Sequence, residues 1–252
     1  MSGQGGAMGG ATEAVIFDGS DTAIVLDPAV VPQAAPDWFD AGHWRALGAL
    51  RSGGGGRGGV LFIDTPAGEC VWRHYRRGGA VARALDDRYL WRGRDRSRGF
   101  AEFRLLQRLR ALQLPVPVAV AARVRRSGWY YRADLITRCI PAARTMAEQL
   151  AATGLDEGLA ARIGATIAAF HRHGVYHADL NAHNVLVNAQ GIHLIDFDRG
   201  ALRPPQTAWQ QGNLARLKRS LLKLGAARDG AEAFERGLWA ALLRGYRRGP
   251  QA

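Results

Sequence analysis

Residues 177–184 read His-Ala-Asp-Leu-Asn-Ala-His-Asn, and residues 192–197 read Ile-His-Leu-Ile-Asp-Phe. Asp179, Asn184 and Asp196 stand at the spacing of a phosphoryl-transfer site. In such a site the first carboxylate receives the acceptor hydroxyl's proton, while the amide and the second carboxylate hold Mg²⁺ on a nucleotide. The chain must therefore bring a loop and a strand end together, which few folds do. At roughly 5% per residue type, His, Asp, Asn, Asp and Phe at fixed positions arise by chance in on the order of 10⁻⁴ of chains this long. The pattern identifies a reaction type and leaves the substrate open.

The rest of the chain sets bounds. At 252 residues it can bury a sizeable core, as one domain or two small lobes. No apolar run approaches the roughly 18–20 residues that span a bilayer. Met1 to Thr12 is Gly-rich, lacks the basic start and apolar stretch of a secretion signal, and reads as a frayed leader. Cys70 and Cys139 form no disulfide framework, so a reducing cytosol is the default.

The net charge of +12 is unusual in kind. Lys218 and Lys223 are the only lysines among 34 basic side chains, so the remaining 32 are arginines. Between Arg73 and Arg110, twelve arginines face only Asp86, Asp87, Asp95 and Glu102. Such a field suits an anionic partner: a nucleotide, a nucleic acid or a phosphate-bearing membrane. A GC-rich genome choosing Arg over Lys accounts equally well for the ratio, though less well for the clustering.

Organisation follows from periodicity and breakers. Three strands are expected at Arg45–Ser52, Val60–Thr65 and Cys70–Tyr75, with Gly53-Gly54-Gly55-Gly56-Arg57-Gly58-Gly59 between the first two. Phe103, Leu105, Leu106, Leu109 and Leu112 give the helix Phe100–Leu112 its apolar stripe, and Pro115 and Pro117 end it. Val116–Val124 and Trp129–Thr137 form a hairpin around Ser127-Gly128. Helices follow at Thr145–Ala152, Asp156–His173, Trp209–Leu224 and Phe234–Tyr246. The fold class is therefore α+β: a two-lobed protein-kinase-like fold, with a β-rich N-lobe carrying one main helix and a helical C-lobe. The expected parts are a leader over 1–40, the N-lobe over 41–138 and the C-lobe over 139–252. The amphipathic Trp209–Leu224 helix is expected to pack inside the helical lobe rather than lie on a membrane.

Each candidate has a part in this chemistry. Asp179, on a loop after the Asp156–His173 helix, is the base. Asp196 ends the apolar run Ile192–Ile195, a short buried strand, and supplies a hard oxygen for Mg²⁺; Asn184 adds a neutral one. Asp198 stands where protein kinases have Gly after Phe, which removes a hinge; it caps a turn or holds Arg199. His177 and His183 lack the convergent third ligand of a zinc site, so His177 braces the loop instead. Gly56 and Gly58 belong to a nucleotide-cradling loop, or to a merely flexible one. The third strand should supply a cation for the α- and β-phosphates, and no lysine precedes residue 218. Arg73 fills that role, with Arg76 and Arg77 as rivals, since a guanidinium can bridge two phosphate oxygens. Its carboxylate partner is Glu102, the alternative being an exposed helix residue.

Together the residues resemble the 3-deoxy-D-manno-octulosonic acid (Kdo) kinase family, in the lipopolysaccharide-kinase branch of the protein-kinase-like fold. The strings are Arg73-His74-Tyr75-Arg76-Arg77-Gly78-Gly79, Glu102-Phe103-x-Leu105-Leu106, Leu114-Pro115-Val116-Pro117, Tyr131-Arg132-Ala133-Asp134-Leu135, His177–Asn184, Leu194–Gly200 and Asn213-Leu214-x-Arg216-Leu217. They run from about residue 40 to 224; the long glycine run at 53–56 and the unmatched first forty residues depart from the pattern. The resemblance implies ATP-dependent, Mg²⁺-assisted phosphorylation of the Kdo 4-hydroxyl on Kdo–lipid A, with Asp179 as base. It also implies a peripheral place on the cytoplasmic face of a Gram-negative inner membrane. Kdo carries a carboxylate and lipid A carries phosphates, so Arg83, Arg88, Arg92, Arg94, Arg96 and Arg98 are expected to meet the acceptor or the membrane. An antibiotic-type phosphotransferase would favour acidic pockets, and a silent nucleotide- or lipid-binding module would lack a base or metal ligand. A nucleic-acid binder leaves the acidic constellation unexplained.

Overall fold

The computed structural model describes residues 14–18, 20–52, 60–76 and 87–249. The chain divides into two compact units, one of residues 1–103 with 119–138, the other of residues 104–118 with 139–252. The segment 104–118 therefore groups with the second unit, although the sequence places it in the first. Gly56, Gly58 and the rest of the glycine run lie outside the described residues, as do Arg77 and Arg83.

The first unit is an antiparallel sheet with strand order β1-β2-β7-β8-β5-β4-β3, β6 pairing with β8. Its strands are β1 (Ala14–Asp18), β2 (Thr22–Leu26), β3 (Leu50–Ser52), β4 (Val60–Thr65), β5 (Gly68–His74), β6 (Tyr89–Leu90), β7 (Ala119–Ser127) and β8 (Tyr130–Arg138). Two expectations need correcting here. The leader over 1–40 contributes β1 and β2, and Ile24, Val25 and Leu26 of β2 are fully buried. The expected first strand, Arg45–Ser52, is extended only at Leu50–Ser52, and its start, Arg45 and Ala46, is the end of helix α1 (Ala41–Ala46). Asp40 caps α1 by accepting the Gly42 N–H at 2.7 Å, and Trp44 Nε1 donates to the Trp38 carbonyl at 2.7 Å. Trp38, Phe39 and Trp44 thus enter the core with Ile24, Ile63 and Trp72, and that burial outweighs the strand propensity read locally.

Helix α2 (Arg98–Ala111) is followed by the prolines that end it. The second unit holds α3 (Met146–Ala152), α4 (Glu157–Arg172), α5 (Thr207–Lys223), α6 (Ala231–Phe234), a π turn at Glu235–Trp239 and α7 (Ala240–Arg248). Thr145 and Glu148 form a reciprocal capping box on α3, and Asp156 caps α4. The apolar face of α5 is packed inside this unit, with Leu214, Leu217 and Leu221 buried, as its stripe predicts. Between α4 and α5 run β10 (Val175–Tyr176), the hairpin β11 (Val185–Asn188) and β12 (Gly191–Leu194), and β13 (Ala201–Leu202); β9 (Arg144–Thr145) pairs with β11. Among the described residues, no helix is long and apolar enough to cross a membrane.

Helices α4 and α7 meet backbone to backbone through two glycines. A methyl at Gly164 would fall 1.9 Å from the Leu242 carbonyl oxygen, and one at Gly245 would fall 1.8 Å from that of Ala161. Neither contact can be relieved by turning a side chain. Gly245→Ala is therefore expected to cost at least the roughly 1–3 kcal/mol of core overpacking. A urea-melt midpoint equal to wild type would contradict this packing.

Candidate active site

The second unit gathers the polar constellation around one buried imidazole. His177 follows β10 and is 2% exposed. Its Nδ1 accepts the Asp179 N–H at 3.2 Å, and its Nε2 donates to the Ile195 carbonyl at 2.9 Å. An acceptor at one nitrogen and a donor at the other define a neutral ring with the proton on Nε2. Burial favours the same state by pushing the His177 pKa down, against the pull of the Ile195 carbonyl and the nearby Asp196 and Asp179 carboxylates. His177 thus ties the loop that carries Asp179 to the strand end that carries Asp196. Both its nitrogens are committed to backbone, as the brace reading expects and a metal ligand would not be.

Asn184 completes the loop. Its Nδ2 donates to the Asp179 carbonyl at 2.9 Å, and its own carbonyl accepts the Ile195 N–H at 3.1 Å. The Nδ2 bond, made through one N–H of the side-chain amide, turns the nitrogen toward the loop, the Ile195 bond being to the main-chain carbonyl. It leaves the amide oxygen as the end suited to a hard cation. Asp179 is different: its backbone is pinned while its carboxylate stays exposed, touched by Asn181 Nδ2 at 3.1 Å and by Arg216 at 3.8 Å. An accessible carboxylate on a fixed backbone suits proton acceptance from an incoming hydroxyl.

Asp196 has φ of +61°, and Arg199 has +58°. A non-glycine residue in the left-handed region costs of order 1–3 kcal/mol and persists where surrounding structure imposes it. Here the imposing contacts are the two bonds to Ile195 and the burial of Phe197, whose ring lies 4.8 Å from His177 and stacks on Phe170 at 5.9 Å. The Phe197 carbonyl accepts the Gly200 N–H at 2.7 Å, which turns the chain directly after the carboxylate. Asp198 sits 3.9 Å from Arg199, a weak pairing.

Sequence reasoning missed the support behind this loop. Asn213 of α5, 2% exposed, donates to the His177 carbonyl at 2.9 Å and accepts the His177 N–H at 3.3 Å. The same Oδ1 faces His171 Nε2 at 3.3 Å, so that nitrogen donates, and the Tyr246 hydroxyl donates to His171 Nδ1 at 2.8 Å. Ser220 adds a further anchor by accepting the Ala182 N–H at 3.1 Å. The available signal was an Asn inside the apolar stripe of α5, where a buried amide needs partners.

Burial lowers the His171 pKa to about 4, against the pull of Asn213. The unfolded chain takes up a proton below about 6.5, which the folded chain refuses until about pH 4. Stability present above pH 6.5 is therefore expected to fall as pH drops toward 4, by up to about 3 kcal/mol at ~1.4 kcal/mol per unit. Urea midpoints across this window should show the loss, and a His171→Gln variant should reduce it, buried His177 accounting for what remains. No slope in the wild type would contradict the neutral, buried His171.

In the first unit the cation on the third strand is fixed by the expected carboxylate. Arg73 Nη2 donates to Glu102 Oε2 at 2.5 Å, and Glu102 is 4% exposed, so it is no surface residue of α2. Tyr75, which sequence reasoning passed over, donates its hydroxyl to the same Oε2 at 2.6 Å and accepts from Arg73 at 3.2 Å. Its place two residues after Arg73, on the same face of the chain, was the signal. Arg76, the rival cation, is exposed. Beside this pair, buried Asp134 accepts from His74 Nδ1 at 2.7 Å, Arg123 Nε at 3.0 Å and Trp72 Nε1 at 3.2 Å. The Asp134 hydrogen bond raises the His74 pKa, while the cations hold the Asp134 carboxyl low despite its burial. Of the arginines expected to meet an anionic acceptor or membrane, Arg88, Arg92 and Arg96 are exposed and Arg94 is half-buried, whereas Arg98 lies over the Tyr89 ring at 4.2 Å.

A β-rich unit in which a half-buried arginine pairs with a buried glutamate, joined to a helical unit with this loop, defines a phosphotransferase of the protein-kinase-like fold. A solved structure described as WaaP in complex with acyl carrier protein shares that fold at a TM-score of 0.52 and 18% identity, over 90% of this chain and 89% of that one. The sequence model of the lipopolysaccharide kinase (Kdo/WaaP) family matches residues 43–246, and the chain belongs to that family. It is 48% identical over 208 residues to the 3-deoxy-D-manno-octulosonic acid kinase of Stenotrophomonas maltophilia (strain R551-3), covering 82% of this chain and 83% of that protein. It is 47% identical, with the same coverage, to the protein of that name from Xanthomonas axonopodis pv. citri (strain 306).

Proposed function

We propose that this chain phosphorylates Kdo, at its 4-hydroxyl, on a Kdo–lipid A acceptor, using ATP at the cytoplasmic face of the inner membrane. The observation that carries the reaction type is the tethering of the Asp179 loop and the Asp196 strand end to one buried imidazole, His177. The acceptor follows from kinship with the relatives named Kdo kinases. The 4-hydroxyl, the lipid A carrier and the membrane face follow from the family resemblance.

Asp179 takes the proton of the acceptor hydroxyl as its oxygen attacks the γ-phosphorus. The bond to the β–γ bridging oxygen breaks, and ADP leaves. General-base assistance of this kind contributes ~10²–10⁴-fold. The donor set of Asn184 and Asp196, an amide oxygen and a carboxylate, fits a hard divalent cation. Those two residues would hold Mg²⁺, which supplies positive charge against the phosphates when bound with ATP. Arg73, oriented by Glu102 and Tyr75, offers its guanidinium to the α- and β-phosphates in place of the usual lysine. The arginine excess opposes a cationic acceptor and suits a carboxylate-bearing sugar on a phosphorylated lipid.

The test offers the protein and ATP three acceptors: Kdo–lipid A, lipid A without Kdo, and free Kdo. Phosphate on O4 of the lipid-linked Kdo is expected, and it can be located by phosphorus–proton NMR. Transfer to lipid A lacking Kdo, or to another hydroxyl, would overturn the acceptor assignment.

A further inference from the structure

The β7–β8 hairpin carries a feature that the phosphotransfer chemistry does not use. Its tip is a two-residue turn in which Gly128 takes φ of +59°, the first-position glycine of a type II′ turn, and Trp129 follows. Trp129 is 82% exposed. This is not a floppy tip, because the Trp129 carbonyl accepts the Trp91 N–H at 2.9 Å and β6 pairs Tyr89 and Leu90 with Tyr131 and Tyr130. A large aromatic ring is therefore held out into solvent by a rigid support, with Leu90, 49% exposed, on the neighbouring strand. Single exposed apolar residues are ordinary; a buttressed tryptophan next to an arginine cluster is less so.

Below the tip lies a cavity of about 290 Å³ whose lining, among the described residues, is Arg88, Arg125, Arg126 and Arg132 with Ser127, Tyr130 and Tyr131. Arg125 and Arg132 stand directly opposite each other across β7 and β8. Like charges in such a pair destabilise a hairpin, and among the described residues a carboxylate answers one of them: Arg132 Nε donates to Asp87. Arg126 Nε donates to the Gly128 carbonyl at 3.0 Å and its guanidinium lies 5.4 Å from the Trp91 ring, so it locks the turn. The cavity sits at the small end of the roughly 300–1,000 Å³ of ligand pockets, enough for a headgroup but not for acyl chains.

We propose that this hairpin is a membrane-docking element, in which the arginine cavity takes the phosphate of an anionic phospholipid headgroup while Trp129 enters the interface. The two halves support each other: interfacial tryptophan and near-surface arginine are the side chains that hold a protein at a negatively charged bilayer. A soluble acidic protein would match the charge but leaves the projecting ring without a reason. The inference stands on the first unit alone and does not require the acceptor assignment.

The test is co-sedimentation of the full chain with phosphatidylcholine vesicles, with and without phosphatidylglycerol. Binding is expected only where phosphatidylglycerol is present. Trp129→Ala and Arg125→Glu should each weaken it at least tenfold. Arg125→Glu should also leave the fold as stable as wild type or more so, because it turns a like-charge pair into an opposite one. Both variants should keep wild-type phosphotransfer to detergent-dispersed acceptor, a result that separates docking from chemistry. Equal binding by wild type and both variants would overturn the proposal. So would binding to soluble glycerol phosphate, or to a soluble acidic protein, with no binding to vesicles.

Discussion

Asp179→Asn is expected to lower the rate of phosphotransfer by about 10²–10⁴-fold while leaving thermal stability and nucleotide affinity near wild type. The substitution keeps the side chain's shape and removes only its basicity. Its backbone partners, His177 Nδ1 and Asn184 Nδ2, act on the main chain and are untouched. The carboxylate itself is exposed, so no buried charge is lost from the core. Rate, rather than KM for ATP, should therefore carry the effect. A variant within a few-fold of wild type would show that the acceptor's proton goes elsewhere.

Asp196→Gly separates chemistry from stability in the opposite way. The φ of +61° at Asp196 is strained for a residue with a Cβ and open to glycine. Relief of that strain is offset by the entropy glycine loses on folding, so stability should stay within about 1 kcal/mol of wild type. Activity should nonetheless fall by at least about 10²-fold, because a charged hard-oxygen ligand is removed. A residue with a purely structural role would show the reverse, a lower melting temperature with activity retained by the folded fraction. Denaturant melts run beside initial rates decide between the two.

The parts that could be read from sequence are those whose chemistry is local. Residues 177–196 declared themselves because the base, the amide and the second carboxylate lie within twenty positions. Val60–Thr65 came out with its observed bounds because turn residues close it at the far end and the glycine run precedes it. The Arg73–Glu102 pair needed only a cation on a strand and an acid on the following helix. What stayed hidden depends on distance. Asn213 is 36 residues from His177, and Tyr246 is 75 from His171, so no local pattern joins them. Helix α1 was misread for a similar reason: Trp44 belongs to a core completed by β2 and β7, strands flanking it far along the chain. Strand β2 itself is short and apolar, and its partner β7 begins almost a hundred residues later. Asp134 shows the same logic within the sheet: an acid in the buried stretch Ala133–Ile136 makes sense only once His74 and Arg123 are seen to reach it.

One experiment bears on the whole account: labelled ATP, Mg²⁺ and Kdo–lipid A incubated with the wild-type chain and, in parallel, with Asp179→Ala. Label should appear on the lipid with the wild type and stay at background with the variant, the two proteins showing equal melting curves. Equal labelling by both, or none by a wild type that binds ATP, would contradict the reading of this loop as the centre of a Kdo kinase.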